Sequence, residues 1–527
     1  MTWLQTHLAV LPVLLPLFTA VALLVIGDGG SGASHGSGAL SRSRLVSVGS
    51  VAIGLAVALL LATGAAEGDL RVYRVGEWPA PFGIVLVIDR LSALMLVLVQ
   101  LVALPVLVYA GGGWDSQGRH FHALFQFQLM GLAGAFITGD LFNLFVFFEV
   151  LLIASYALMV HGHGRVRFRY GVPYVVLNLA ASALFLIGVA LIYAFTGTLN
   201  LADLALRIGQ VPAPDAAVVQ AGGMLLLVVF GFKAALVPLH LWLPGTYAAA
   251  SAPVAALFAL MTKVGVYAIV RVHGVVFGDN AGASAQMVES WLLPLALATC
   301  VLGALGALAA PTIARLVAWL NVASVGTILA AVGLLSPQGW SAAMYYMAHS
   351  TLIVAALFLL AELVGAQRGQ AGGRLEPAGP VAQPALLGMM MLLAAASVAG
   401  LPPLPGFLGK LMILNAAFGS AAGPWVWSVV LSIGFLTLIG LARAGSILFW
   451  SVRVEDTATR AGASPRLIGA TLSLLGAVIV LAVFAGPLKR YTDAAGLQLA
   501  DREAYARAVF GSGAPASPVR PFGSGDK

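Results

Sequence analysis

The chain has 527 residues, 60% of them hydrophobic and only 9% charged. A soluble domain carries about 25% charged residues, so the composition excludes a water-soluble enzyme or binding module and defines an integral membrane protein. The net charge of +7 belongs to loops, where basic residues set membrane orientation, and not to a nucleic-acid surface.

A helix needs about 20 apolar residues to cross the hydrocarbon core of a bilayer. By that measure fourteen spans are predicted, near 3–26, 44–65, 84–110, 121–138, 141–160, 172–196, 220–242, 253–274, 290–310, 313–334, 341–364, 384–419, 427–450 and 465–487. The first lacks a basic leader and reads as a span, not a cleaved signal. "DGGSGASHGSG" at 28–38 and "GSGAPASPVRPFGSGDK" from Gly511 read as flexible low-complexity sequence. The single cysteine, Cys300, sits in the ninth span; it excludes an intrachain disulfide and reads as a small core residue.

The seventh span runs into "FGFKAALVPLHLWLPGTYAAASAP" (230–253), where Lys233, Pro238, His240 and Pro244 follow one another. Proline interrupts the helical hydrogen-bond ladder, which a membrane tolerates where the freed groups face protein or water. "GLPPLPGFLGK" (400–410), with Pro402 and Pro403 ahead of Lys410, repeats the pattern in the twelfth span, which is too long for one straight helix. Two breaks with a lysine at each suggest an inverted repeat of transporter type. The expected fold is therefore an all-α polytopic membrane protein. Residues 1–110 carry spans one to three, 121–274 and 290–450 are two inverted five-helix repeats (spans four to eight and nine to thirteen), 451–510 hold a loop, the last span and an outer segment, and 511–527 are a tail.

With the N-terminus outside, inner loops hold twelve arginines and short outer loops four: Arg71, Arg74, Arg207 and Arg271. This bias places both termini outside.

Three of the five lysines, Lys233, Lys263 and Lys410, fall inside apolar spans, where an ionisable group costs about 3 kcal/mol or more. Glu149 follows the candidate N-cap Asp140 by nine residues, a depth of about 13 Å. Lys263 follows Pro253 by ten, about 15 Å. A structural ion pair would account for two of these charges. A row of titratable groups accounts for all, because burial disfavours an ammonium while a nearby carboxylate favours it, and moving one toggles the other. His349, in the eleventh span, reads as a relay member. His240, seven residues after Lys233, is placed near the same helix face. His161 and His163, in "HGHGRVRFRY", read as a solvated basic loop and not as metal ligands. No dinucleotide fingerprint, P-loop, CxxC pair or nucleophile elbow is present, so no cofactor, metal or catalytic residue is expected.

"GDLFNLFVFFEVLLIASYAL" (139–158), "FKAALVPLHLWLPGTYAAASAPVAALFALMTKVGVYAIVR" (232–271) and "GLPPLPGFLGKLMIL" (400–414) resemble the antiporter-like family. That family includes the proton-pumping membrane subunits of respiratory complex I and the large subunits of Mrp multisubunit Na+(K+)/H+ antiporters. The first motif and the length are similar to the D-type member of the Mrp set, of the Pha or Mnh kind. The resemblance implies a charge pair at Glu149 and Lys233, a central lysine at Lys263, a relay at His349 and a terminal lysine at Lys410. It also implies partners: a larger homologous A-type member and small hydrophobic subunits, in the cell membrane, exchanging H+ for Na+ or K+. Many family members carry a lysine where this chain has Val354, and the polar cluster of the tenth span is reduced to "RLVAWLNVASVG" (315–326). Asn321, Ser324 and water are then expected to bridge the middle of the path. A proton pump of complex I or a related membrane hydrogenase is the alternative, and a scaffold with purely structural charges is a third reading.

Overall fold

The computed structural model describes residues 6–27, 36–451, 453 and 461–511. Segments 28–35 and 512–527, read above as flexible, lie outside these, while residues 36–38 already open a helix.

With little water to accept or donate hydrogen bonds, an apolar chain must satisfy its backbone internally, and helices do this segment by segment. In chain order they are α1 (Leu11–Ile26), α2 (Gly36–Ala66), α3 (Arg90–Ala110), α4 (Phe121–Ile137), α5 (Leu141–Met159), α6 (Arg165–Thr196), α7 (Leu201–Arg207), α8 (Ala213–Ala234), α9 (Trp242–Ala249), α10 (Ala252–Phe258), α11 (Met261–Ile269), α12 (Glu289–Leu308), α13 (Ile313–Val332), α14 (Pro337–Ala366), α15 (Pro384–Ala399), α16 (Pro405–Ala417), α17 (Gly423–Phe449), α18 (Pro465–Val483), α19 (Ala485–Ala500) and α20 (Arg502–Phe510). Among the described residues, eleven helices are long and apolar enough to cross a membrane; the unit Ala252–Val276, which joins α10, α11 and a π turn, counts as one. Three shorter apolar helices, α1, α4 and α15, accompany them.

The chain is not purely helical. An antiparallel hairpin pairs β1 (Arg71–Arg74) with β2 (Val85–Ile88), with Arg71 opposite Ile88. The third span was expected from residue 84, yet its helix begins at Arg90. Asp89 fixes that start through a reciprocal capping box: its carboxylate accepts from Ser92 N–H, and the Ser92 hydroxyl accepts from Asp89 N–H. Asp140 caps α5 in the expected way, accepting from Asn143 N–H.

The polar segments gather at two ends. The hairpin end holds β1, β2, the Asp140–Asn200 bridge, α19 and α20, with Arg74 donating to Val509 O and Gln498 accepting from Arg90 N–H. The arginine-rich end holds a buried cluster in which Asp115 accepts two bonds from Arg44 (2.6 and 2.8 Å) and lies 3.1 Å from His122 Nε2. Burial pushes the Asp115 carboxyl up, but the bonds from Arg44 and His122 prevail and hold it at about 2. His161, expected in a solvated loop, is buried there with Nε2 against Trp114 O, whereas His163 is exposed as expected.

Arg271 departs furthest from its predicted place. It is not an outer-loop residue: it lies in the π turn Val270–Val276, 4% exposed, and grips Asp89 with two 2.5 Å bonds while its Nε donates to Tyr267 Oη. A bidentate guanidinium–carboxylate pair with a third bond satisfied makes such burial tolerable.

The most buried elements are Ala252–Val276, α14 and α13, while α2, α6, α17 and α18 turn apolar side chains such as Val176, Leu186, Phe435 and Val480 outward. Small residues let α12 and α13 touch through their backbones. A Cβ at Gly303 would sit 2.4 Å from Ala323 N, and one at Gly326 would sit 2.5 Å from Cys300 N.

Both expected helix breaks are present. α8 stops at Ala234, Ala235 caps it in the left-handed region (φ 62°), and 235–241 is non-helical up to α9. α15 stops at Ala399, Gly400 caps it (φ 87°), and Pro402 and Pro403 lie in the connection before Pro405 opens α16. Pro238 lies within the first break, but Pro244 does not interrupt anything. It occupies the first turn of α9, where an N–H would have no helical partner.

Candidate functional site

Glu149, on α5, is half-buried and accepts a short hydrogen bond from the Ser182 hydroxyl of α6. One turn earlier on α6, Asn178 Oδ1 accepts from Lys233 Nζ at 2.9 Å. Lys233 is 6% exposed, with its ammonium 5.9 Å from the ring centres of Phe148 and Phe232. Glu149 and Lys233, expected as a charge pair, are held by separate polar partners, Ser182 and Asn178, four residues apart on α6 and therefore on one face. The signal for both was present in "LNLAASALF", where two polar residues sit one turn apart in an otherwise apolar span.

The helix of Lys263 crosses that of Lys233 closely. A Cβ at Gly265 would meet Ala234 N at 2.6 Å and Phe230 O at 2.7 Å. Lys263 itself has no exposed surface; its Nζ donates to Asn321 Oδ1 (2.7 Å) on α13 and to Thr262 Oγ1 (3.3 Å). Its helix is irregular on either side, with turn geometry at 259–260 and the π turn beyond Ile269. π segments inside helices are frequent at functional sites. Ser324, one turn beyond Asn321, donates to Asn321 O at 2.8 Å.

Ser324, His349, Val354 and Lys410 line a common cavity of about 20 Å³ between α13, α14, α15, α16 and α17, room for about one water. His349 is buried with Nδ1 unpartnered among the described residues, and its Nε2 lies 2.9 Å from where a Cβ on Gly406 would stand. Lys410 Nζ donates to Ala399 O (2.8 Å) and Val398 O (3.1 Å), the last carbonyls of α15. These are orphan acceptors at the negative end of a helix, a natural seat for an ammonium.

His240 stands apart. Because the helix ends at Ala234, it does not share a face with Lys233; it lies in the break against the ring of Trp319, 5.6 Å between centres, with Nδ1 buried and unpartnered among the described residues. No cluster of three or more His, Cys, Asp or Glu side chains suited to a metal occurs among the described residues.

Buried lysines on interrupted helices, joined by amides and hydroxyls, define a membrane protein of the ion-transporting kind. The chain belongs to the NADH:quinone oxidoreductase/Mrp antiporter transmembrane family, whose model matches residues 138–439. It is 41% identical to the D-type member of a probable K+/H+ antiporter of Rhizobium meliloti, over 93% of this chain and 95% of that one. It is 34% identical to the D-type member of a Na+/H+ antiporter of Bacillus subtilis, over 96% of this chain and all of the relative. Its fold superposes on a chain in the structure of the Mrp complex from Dietzia sp. DQ12-45-1b with a TM-score of 0.84 and 29% identity, covering 97% of this chain and 100% of that chain.

Proposed function

We propose that the chain is the proton-translocating subunit of a multisubunit monovalent cation (Na+ or K+)/H+ antiporter. It works with small hydrophobic subunits and a larger homologue in the cell membrane, both termini outside. Glu149, Lys233, Lys263, His349 and Lys410 act as successive proton stations. Ser182 and Asn178 couple the first two, and Asn321, Ser324 and a water in the small cavity link Lys263 to His349 where relatives use another lysine. Blocks 121–274 and 290–450 are the two inverted repeats. The observation that carries the reading is Lys263, an ammonium with no exposed surface whose partners are the neutral Asn321 and Thr262. A purely structural charge is normally neutralised by an opposite one, whereas a proton carrier needs a partner that tolerates both of its states.

The test is Lys233→Ala in the assembled complex, with cation-driven proton flux measured in membrane vesicles. Lost flux with intact assembly supports the reading. Wild-type flux rejects it, and loss of assembly points instead to a scaffold. Flavin or iron–sulfur subunits co-purifying with the chain would replace antiport by a redox-driven pump.

A further inference from the structure

At the arginine-rich end of α14 lies a carboxylate outside the stations above. We infer that Glu362 is a proton port, taking protons from water at that face and delivering them to the helix of Lys263; the inference rests on the proton-translocation reading.

Glu362 Oε1 accepts from Trp114 Nε1 at 2.5 Å. The carboxyl also faces the backbone N–H of Ala252, the first residue of the unit that carries Lys263 eleven residues on. Its second oxygen, Oε2, is buried and has no partner among the described residues, and the same holds for Ser251 Oγ. Both residues line an open cavity of about 400 Å³, together with Trp114, Arg167, Tyr247 and Phe358. The cavity thus brings water to the edge of a carboxyl group that is tied at Oε1 and, at Oε2, buried without a partner among the described residues. The titratable groups around it are Arg167 from α6, Tyr109 from α3 and Tyr247 from α9. No second carboxylate lines the cavity among the described residues, and one carboxylate beside a guanidinium is a poor seat for a metal cation. A proton, which needs a single lone pair, suits it.

In the proposed step the carboxylate turns Oε2 toward the cavity and takes a proton from a hydronium there, leaving water and a neutral carboxyl. The carboxyl returns the proton to a water on the inner side, and neutral Lys263 accepts it, regenerating the carboxylate. Ala252 and Lys263 are separated by about 16 Å of helix rise, and the step requires a transient file of waters over that span.

Glu362→Gln keeps an acceptor for Trp114 but cannot ionise, so it separates a port from an anchor. Flux is measured against pH in the assembled complex for wild type, Glu362→Gln, Glu362→Asp and Lys263→Ala. The port predicts that Glu362→Gln lowers flux by about a hundredfold, the lower range for a positioned proton-transfer group, and flattens its pH profile, while Glu362→Asp restores a pH-dependent flux. If Glu362→Gln keeps wild-type rate and profile while Lys263→Ala is inactive, the port is wrong and the translocation reading stands. A slow Glu362→Gln with a wild-type-shaped profile means an anchor only and overturns the port. Wild-type flux in Lys263→Ala overturns both.

Discussion

The two broken helices hold their lysines in opposite ways. At the first break the lysine precedes the interruption, and its ammonium leaves its own helix to reach Asn178 on α6. At the second the lysine follows the interruption, and its ammonium turns back onto the carbonyls of Val398 and Ala399 in the preceding half. One site borrows a side chain from a neighbour; the other uses the backbone ends that the break itself exposed. A half-helix terminus is a fixed dipole that favours the cation at all times. A neutral amide with a carboxylate one turn away on the next helix is a setting that changes when that carboxylate changes. The first site is therefore built to be modulated by its carboxylate, and the second to bias a proton station toward its charged form by a constant amount.

Loss of both ammonium groups separates these roles. Lys233→Met and Lys410→Met are each expected to abolish cation-driven flux, the largest effect, but with unequal structural consequences. Lys410→Met leaves two buried carbonyls unpaired, a loss of about 1–3 kcal/mol, visible as a lower thermal midpoint of the purified complex. Lys233→Met removes a desolvated charge and leaves one buried acceptor, Asn178 Oδ1, unpaired, so it is expected to lower that midpoint less; equal losses in the two variants would break the comparison. Asn178→Leu comes next: it unpairs Lys233 and is expected to cut flux severalfold, with a change in its pH profile and no effect on the Lys410 half. Ser182→Ala is the mildest. It frees Glu149 and should shift the pH at which flux is half-maximal by less than Asn178→Leu does, and a larger shift would place the control at the carboxylate and not at the amide.

Much of this was legible in the sequence because a charge inside an apolar run has few explanations. Lys233, Lys263, Lys410, His349 and Glu149 are picked out by cost alone, and Asn321 and Ser324 by being the polar residues left in a bare span. Asn321 indeed receives Lys263, and Ser324 lines the cavity with His349 and Lys410. What escaped were features set by partners distant in sequence. Arg271 near the end of a span looks like a loop residue until Asp89, some 180 positions earlier, is seen to neutralise it. His161 is drawn inward by Trp114 O. The short run "VLVI" at 85–88 has no periodicity that tells a strand from a helix, and only the Asp89 cap decides. His240 was misplaced for a different reason: spacing along a helix has no meaning once the helix has ended.

Backbone contact between α12 and α13 carries a mechanical consequence. Side chains yield by changing rotamer, but at Gly303 and Gly326 there is no side chain to yield, so Asn321 rides on a helix pair held backbone to backbone. The helix of Lys263 is seated in the same way, through Gly265 against Ala234 N and Phe230 O, with irregular backbone only at the turn 259–260 and in the π segment beyond. The 2.7 Å bond between Lys263 and Asn321 therefore joins two helices whose seats are both set by glycines, so its length is held by backbone contact and not by rotamer choice.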